Sequence, residues 1–208
     1  MRKEILMATT NPHKKERFEH YLKGLGISVV SFLDLGKVIT VVEDGETPEE
    51  NALKKAIAGY KATGKTTFGI DYWLFIIGLP GVKQPGPFVR RIFTNKKGER
   101  EEVSDDKVLE YYSGVVRSLG GRTTCVWVSA VGLVTSQGHK YTGRFERETI
   151  LTSEINDKRT PGEPLNSMQL DPVTGKYYTE LTSDEWLELN KQKEKGYIEF
   201  FRKYLDEL

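Results

Sequence analysis

The chain has 208 residues, of which 38% are hydrophobic and 29% charged, and its formal net charge is +1. This composition excludes a disordered chain and is typical of a globular protein that buries a core. No run approaches the roughly 20 apolar residues of a membrane span, so we expect no membrane partner and a cytoplasmic location. The lone cysteine, Cys125, excludes an internal disulfide and is interpreted as a small residue of a buried strand.

The first predicted elements are a strand, a helix and a strand, an order that is typical of an α/β fold. Residues 3–9 predict a short buried strand, and residues 27–32 predict the next one. Between them Asn11 predicts a helix N-cap and Pro12 the first helical turn.

An acidic segment over residues 36–47 precedes a predicted helix that runs from residue 48 to about residue 63. Thr47 is the expected N-cap of this helix, and Glu50 three positions later predicts a capping box. Residues 67–77 then predict an apolar strand.

The second half of the chain contains longer predicted strands than the first half. After a helix over residues 105–119, residues 122–135 and 139–152 predict a hairpin through a Ser-Gln-Gly turn. Two closing helices are expected near residues 182–191 and 195–207. We therefore interpret the β-rich middle as a second lobe.

The first segment that can carry chemistry lies over residues 9–14, at a predicted strand end and helix start. Free backbone N–H groups and the positive end of the helix dipole favour an anion there. Thr9, Thr10 and Asn11 add polar side chains, and Lys14 adds a charge. The alternative is that these side chains only cap the helix.

The second segment lies over residues 43–56. Carboxylates beside a helix can hold Mg²⁺, and Glu43, which precedes the cap, is the better candidate ligand. Glu49 and Glu50 are interpreted as complementing the helix dipole without a metal. Lys55, taken alone, would be a surface lysine.

The third segment contains Asp71, which interrupts the apolar strand. A buried carboxylate costs several kcal/mol unless it is paired, hydrogen-bonded or bound to metal. Asp71 is therefore a candidate functional residue, and the alternative is an aspartate that caps a strand end.

In this order the segments resemble the inosine-triphosphate pyrophosphatase (Ham1-like) family. Its patterns are Thr-x-Asn-x-x-Lys, then Glu-x-Gly-x-Thr-x-Glu-Glu-Asn-Ala-x-x-Lys-Ala, then Asp-Ser-Gly-Leu, and then Pro-Gly-x-x-(Ser)-x-Arg. This chain matches the first two over residues 9–14 and 43–56, the third at Asp71 and Leu74, and the fourth over residues 85–91. The resemblance covers nearly the whole chain and is strongest in the first 95 residues.

The chain departs from the family pattern in three places. The family's strand usually reads acidic-acidic-Ser-Gly, whereas this chain reads Ile70-Asp71-Tyr72-Trp73, so one carboxylate is lost and two bulky aromatic side chains enter. The family's base-holding Gly-Phe-Gly-Tyr-Asp-Pro segment is replaced by about residues 164–169. The terminal Ser-His-Arg is missing, and the nearest equivalent lies at residues 193–196. Phosphate and metal handling are expected to survive, with altered base recognition.

The resemblance implies an elongated α/β fold, a mixed sheet flanked by helices, in one domain of two lobes with a central cleft. The first lobe would hold residues 1–120 and 192–208, and the second residues 121–191. The implied activity is magnesium-dependent hydrolysis of a non-standard triphosphate such as ITP, dITP or XTP to monophosphate and pyrophosphate. Manganese is the alternative metal, and the family is usually dimeric.

The resemblance also implies roles for individual residues. Glu43 and Asp71 would bind the metal, and the alternative role for Asp71 is to orient or deprotonate the attacking water. Lys14 and Lys55 would clamp the phosphates. Asp71 and Lys14 would be the catalytic residues. Further expected nucleotide contacts are Thr9, Thr10, Asn11, Tyr72, Trp73, Arg90, Arg91 and Lys195. Core packing is the alternative for the aromatic residues, a partner subunit for the arginines, and a solvated helix face for the lysine.

Two other functions stay open. A nucleotide-binding or sensing protein with little catalysis would fit the lost carboxylate and the lost Ser-His-Arg. A pyrophosphatase for a different modified nucleotide would keep the chemistry and change the base. Nucleic-acid binding is not expected, since the basic cluster of Arg90-Arg91 and Lys96-Lys97 is small.

Overall fold

The structure, a computed structural model, describes residues 3–95 and 99–208, apart from the side chain of Gln192. Lys96 and Lys97 of the basic cluster lie outside the described residues. The strands are β1 Lys3–Met7, β2 Ile27–Ser31, β3 Thr67–Ile76, β4 Phe93–Thr94, β5 Arg100–Glu101, β6 Arg122–Val134, β7 Lys140–Thr152 and β8 Gln169–Leu170. The α-helices are α1 Pro12–Leu22, α2 Pro48–Thr63, α3 Asp105–Ser118 and α4 Ser183–Lys203.

Six of the strands form one mixed sheet in the order β2-β1-β3-β6-β7-β8. Strand β1 pairs in parallel with both β2 and β3, whereas β7 pairs antiparallel with β8. The two short strands β4 and β5 pair separately. The predicted α/β class with a mixed sheet is confirmed, as are the predicted hairpin and the helix that begins at Asp105.

The chain divides into two compact units. The first holds the described residues up to Tyr72 together with Ser129–Phe145 and Gln192–Leu208. The second holds those of Trp73–Val128 and Glu146–Lys191. The predicted lobes and the cleft between them stay predictions.

Each unit has its own hydrophobic core. In the first unit, Phe18 of α1 and Tyr197 and Phe201 of α4 pack with residues of β1 and β3, including Phe68 of β3. In the second unit, α3 packs its apolar face with residues of β3, β6 and β7. The second core contains Cys125, which is fully buried, and burial raises its thiol pKa to about 12. The interpretation of Cys125 as a core residue is confirmed.

The start of α2 differs in one detail from the predicted capping box. The Thr47 side chain accepts the Glu50 backbone N–H at 3.2 Å, as a cap should. The Glu50 carboxylate, however, accepts the Glu46 N–H at 2.8 Å rather than that of Thr47. The second half of the predicted capping box is wrong, because the acidic loop brings the Glu46 N–H, and not the Thr47 N–H, to the Glu50 carboxylate.

Two glycines allow two strands to approach α2 very closely. A Cβ on Gly69 of β3 would lie 2.4 Å from the Ala52 carbonyl oxygen and 2.6 Å from the Lys55 Cβ. A Cβ on Gly132 of β6 would lie 2.4 Å from the Leu53 Cα. Since no real Cβ fits at these distances, the glycines fix the spacing between α2 and both strands.

The two predicted closing helices are in fact one continuous helix, α4. The predicted gap between residues 191 and 195 is wrong, and Gly196 lies inside the continuous helix, where it makes room for a neighbouring ring. A Cβ at Gly196 would lie 2.6 Å from the Phe145 ring. The buried residues Tyr197 and Phe201 that follow hold the helix against the core. No helix among residues 3–95 and 99–208 is long and apolar enough to cross a membrane.

Candidate active site

Asp71 lies in the middle of β3 with 5% of its surface exposed. Its Oδ1 is 2.7 Å from the Lys55 ammonium, and its Oδ2 accepts a 3.3 Å hydrogen bond from the Asn51 amide. The carboxylate is therefore paired, as a buried charge must be. This arrangement excludes the interpretation of Asp71 as a cap at a strand end.

Lys55 reaches back from α2 to the same strand. Its ammonium lies 2.7 Å from Asp71 and 3.1 Å from the Glu43 carboxylate, and it donates to the Ile70 carbonyl at 3.2 Å. Only 14% of its side chain is exposed. Lys55 is thus not a surface lysine but the cation that joins two carboxylates from different segments.

Asn51 connects the acidic loop to the strand. Its Oδ1 accepts the Gly45 backbone N–H at 2.8 Å while its Nδ2 donates to Asp71. Asn51 is fully buried. Sequence reasoning gave this residue no role, although an asparagine among the apolar positions of a helix is a signal that could have found it.

Lys14 projects from the first turn of α1 over the ring of Tyr72, with its ammonium 5.5 Å from the ring centroid. This distance is within the range of a cation–π contact. Burial and the charge of Lys55 lower the pKa of Lys14, while Asp71 and Glu43 act in the opposite direction. Lys14 therefore interacts electrostatically with the charged residues around Asp71. The Asp71 cluster consists of Lys14, Glu43, Asn51, Lys55 and Asp71.

The turn before α1 is closed by its own side chains. Asn11 Oδ1 accepts the backbone N–H groups of His13 and Lys14 at 2.9 and 3.2 Å, which confirms it as the N-cap. The Asn11 N–H in turn donates to the Thr9 hydroxyl at 3.1 Å. These N–H groups are satisfied internally, so an anion at this turn would meet side chains such as that of Thr10 unless it displaced the cap.

Arg90 belongs to the second unit, where acidic residues surround its guanidinium. It pairs with Glu102 at 2.8 Å and with Asp105 at 2.6 Å, and it donates to the Gly162 carbonyl at 3.2 Å. These contacts tie a loop to the start of α3. Arg90 holds its own unit together in this structure, and its contact with a nucleotide stays a prediction.

The other predicted binding residues are placed individually. Arg91 is exposed, with its guanidinium 5.5 Å from the Phe88 ring, and Trp73 packs with Phe75 at 6.0 Å between ring centroids. Lys195 is 66% exposed on α4 and lies 3.8 Å from Glu199 one turn later. Their contacts with a nucleotide stay predictions.

The Ham1 family model matches residues 5–159 of this chain. The chain belongs to the Ham1 family. The predicted resemblance is confirmed, and the match includes every residue of the Asp71 cluster.

Named relatives agree with the family match. A dITP/XTP pyrophosphatase from Desulfotalea psychrophila is 34% identical over 163 residues, which cover 77% of this chain and 69% of the relative. One from Thermoanaerobacter sp. strain X514 is 35% identical over 112 residues, 54% of each chain. The chain thus spans about half the length of some Ham1 relatives that it matches.

Solved structures show the same fold. A Ham1 protein from Coxiella burnetii has a TM-score of 0.76 at 20% identity, over 99% of this chain and 100% of that one. The Staphylococcus aureus Ham1 protein has a TM-score of 0.74 at 21% identity, with 98% of both chains covered. At these identities the likeness establishes the Ham1 fold alone.

The chemistry of this Ham1 site follows from its donor groups. Among the described residues, no group of three His, Cys, Asp or Glu side chains could hold a metal ion. Two carboxylates, Glu43 and Asp71, do converge on one point, and Mg²⁺ commonly uses one or two protein carboxylates together with substrate phosphates. The donor set therefore fits a metal that is shared with a phosphorylated ligand.

Proposed function

We propose that this chain hydrolyses a nucleoside triphosphate to the monophosphate and pyrophosphate. The observation that carries the proposal is the buried Asp71, held between Lys55 and Asn51 beside Glu43 and Lys14. The names of the relatives, dITP/XTP pyrophosphatases, support the same reaction. A carboxylate beside two ammonium groups suits phosphoryl transfer, which depends on positioning and charge stabilisation.

In the proposed reaction, water attacks the phosphorus nearest the nucleoside and pyrophosphate leaves. The ammonium groups of Lys14 and Lys55 bind phosphoryl oxygens and offset the charge that develops on them. Asp71 orients the water and accepts its proton through the carboxylate. Asn51 keeps that carboxylate in place through the 3.3 Å hydrogen bond to Oδ2.

Glu43 and Asp71 are the residues that would hold Mg²⁺, or Mn²⁺ in its place. When bound, the metal polarises phosphoryl oxygens as a Lewis acid. Lys55 contacts the same two carboxylates, so a bound metal would compete with its ammonium for their oxygen atoms.

The proposed substrate is a non-standard triphosphate such as ITP, dITP or XTP. Support comes from the relatives' names and from the long match over residues 43–56. Base contacts by Tyr72, Trp73, Arg90, Arg91 and Lys195 belong to this proposal. A homodimer and a cytoplasmic location remain predictions from the sequence.

The test is release of pyrophosphate with Mg²⁺ from ITP, dITP, XTP, the ordinary triphosphates and modified ones, with Asp71→Asn as the inactive control. Turnover of ITP, dITP or XTP supports the full proposal. Turnover of another nucleotide keeps the reaction and favours the pyrophosphatase for a different base. Equal turnover by wild type and Asp71→Asn would contradict the assigned site.

A second function, nucleotide binding with little catalysis, is favoured by one observation. Ile70, buried at 4% exposure, stands where the family pattern has a second acidic residue. Binding of ITP without pyrophosphate release, measured by calorimetry on the same preparation, would select this function.

A further inference from the structure

The Lys55 ammonium lies between the two carboxylates that are proposed to bind metal. It is 2.7 Å from Asp71 Oδ1 and 3.1 Å from Glu43 Oε2. The other Asp71 oxygen, Oδ2, accepts a hydrogen bond from Asn51. One oxygen of each carboxylate is therefore already paired with an internal cation, and the second Asp71 oxygen is held by an amide.

We propose that Lys55 is the resident cation of the Glu43–Asp71 pair and excludes a free divalent cation. The metal then enters with the triphosphate, whose oxygens take up the Lys55 ammonium as it leaves the carboxylates. This inference rests on the proposed function and specifies the order in which the site is filled.

The charges of the cluster favour this order. The carboxylates of Glu43 and Asp71 already face the ammonium groups of Lys55 and Lys14, and the Arg17 guanidinium also acts on Lys14, so a bare dication would add positive charge that this cluster does not compensate. Asp71 and the Lys55 side chain are largely buried, where unbalanced charge is costly. A triphosphate brings the negative charge that balances the dication and gives both ammonium groups new partners.

The geometry of Lys55 suits an exchange of partners. Its Cβ is held against β3, since a Cβ on Gly69 would lie only 2.6 Å from it. Beyond the Cβ, the rest of the flexible four-carbon stem carries the ammonium. Lys55 can thus swing its charge from Asp71 to a phosphate without any movement of α2, while Asn51 retains the carboxylate.

Binding of Mn²⁺ as the probe metal tests the proposal, measured by electron paramagnetic resonance without nucleotide. Lys55→Gln removes the internal cation, and Lys54→Gln is the matched control. Lys54 pairs with the exposed Asp44 at 2.6 Å, outside the cluster. We expect Lys55→Gln to bind Mn²⁺ roughly 5–150-fold more tightly than wild type, the usual range of coupling between two ligands. Lys54→Gln should match wild type.

A second measurement uses only the wild-type protein, so it decides the matter even if Lys55→Gln does not fold. A non-hydrolysable ITP analogue should tighten Mn²⁺ binding, after correction for the Mn²⁺ that the free analogue binds. Equal Mn²⁺ affinity with and without the analogue overturns the proposal. Equal affinity of folded Lys55→Gln and Lys54→Gln overturns it as well.

Pyrophosphate release by the wild type separates the two possible failures. If wild type turns over a triphosphate with metal but either Mn²⁺ result is negative, the inference about Lys55 is wrong and the proposed function stands. If the wild type neither turns over any triphosphate nor binds Mn²⁺ with the analogue, both are wrong.

Discussion

The buried amide of Asn51 donates to Asp71 across 3.3 Å and accepts from Gly45 across 2.8 Å. One side chain thereby joins the acidic loop, helix α2 and strand β3. The relationship places the carboxylate where the acidic loop and the helix that follows it meet a strand 20 residues further along the chain.

Loss of the Asp71 charge should abolish most of the activity and leave the fold intact. Asp71→Asn preserves the shape and can still bond to Asn51, but it cannot accept a proton. We expect kcat to fall by about 10²–10⁴-fold, the usual contribution of a general base. Asp44→Asn, which changes an exposed carboxylate of the neighbouring loop, should keep near-normal kcat. Pyrophosphate release and far-UV circular dichroism together check both expectations.

Removal of the Asn51 amide should lower stability. Asn51→Ala leaves the Gly45 N–H and Asp71 Oδ2 without this partner, and a lost buried hydrogen bond costs about 1–3 kcal/mol. Urea unfolding measures the change. As a control, Asn95→Ala removes bonds to Glu99 and Glu101 that are exposed, and should change the free energy of unfolding by less than about 0.5 kcal/mol. Equal effects of the two variants would contradict the role of Asn51.

A methyl group at Gly69 should separate α2 from β3. Gly69→Ala would place a Cβ 2.4 Å from the Ala52 carbonyl oxygen, so we expect a loss of about 1–3 kcal/mol of stability. Turnover should also fall, since the shift would carry Lys55 away from Asp71. Gly114 is an exposed position of α3 where an added Cβ would meet nothing within 4 Å beyond the backbone of its own helix and its chain neighbours, so Gly114→Ala should raise stability by about 1 kcal/mol. Thermal unfolding and pyrophosphate release distinguish the two.

Triphosphate binding should weaken at alkaline pH through Lys14. Burial and the Lys55 charge lower its pKa below the ordinary value of 10.5. As pH rises through this lowered pKa, the ammonium loses its proton and KM increases, at a lower pH than for an ordinary lysine. Because the unfolded chain binds this proton more readily, the same titration makes stability increase with pH over that window.

Lys14→Arg separates this effect from general alkaline loss of activity. Arginine stays charged at these pH values, so the rise in KM should move to higher pH. Lys15→Arg, at a residue paired with Glu19 at 3.2 Å, should leave the KM profile unchanged. An identical profile for all three proteins would show that Lys14 does not titrate in this range.

Local patterns in the sequence predicted the fold well. The Asn11 and Thr47 caps, the Ser-Gln-Gly hairpin and the buried Asp71 each depend on neighbours within a few positions. Such signals survive in a single sequence because short-range sterics and hydrogen bonding determine them.

Contacts between distant segments were harder to predict. The partners of Arg90 lie 12 and 15 residues away, and Lys55 meets Asp71 across 16 residues. The continuity of α4 depends on Phe145 filling the space at Gly196, which no local pattern reveals. Tertiary packing decided these features, and it overrode the helix-breaking tendency of glycine.

The contact of α2 with Gly69 and Gly132 has a consequence for the thermodynamics of ligand capture. With both strand backbones against it, the helix that carries Asn51 and Lys55 is already ordered before any ligand arrives. The conformational entropy lost on binding is then confined to the lysine stem and the exposed loop around Glu43. The length and composition of that loop therefore determine how much ordering entropy binding costs, because the helix needs no further ordering.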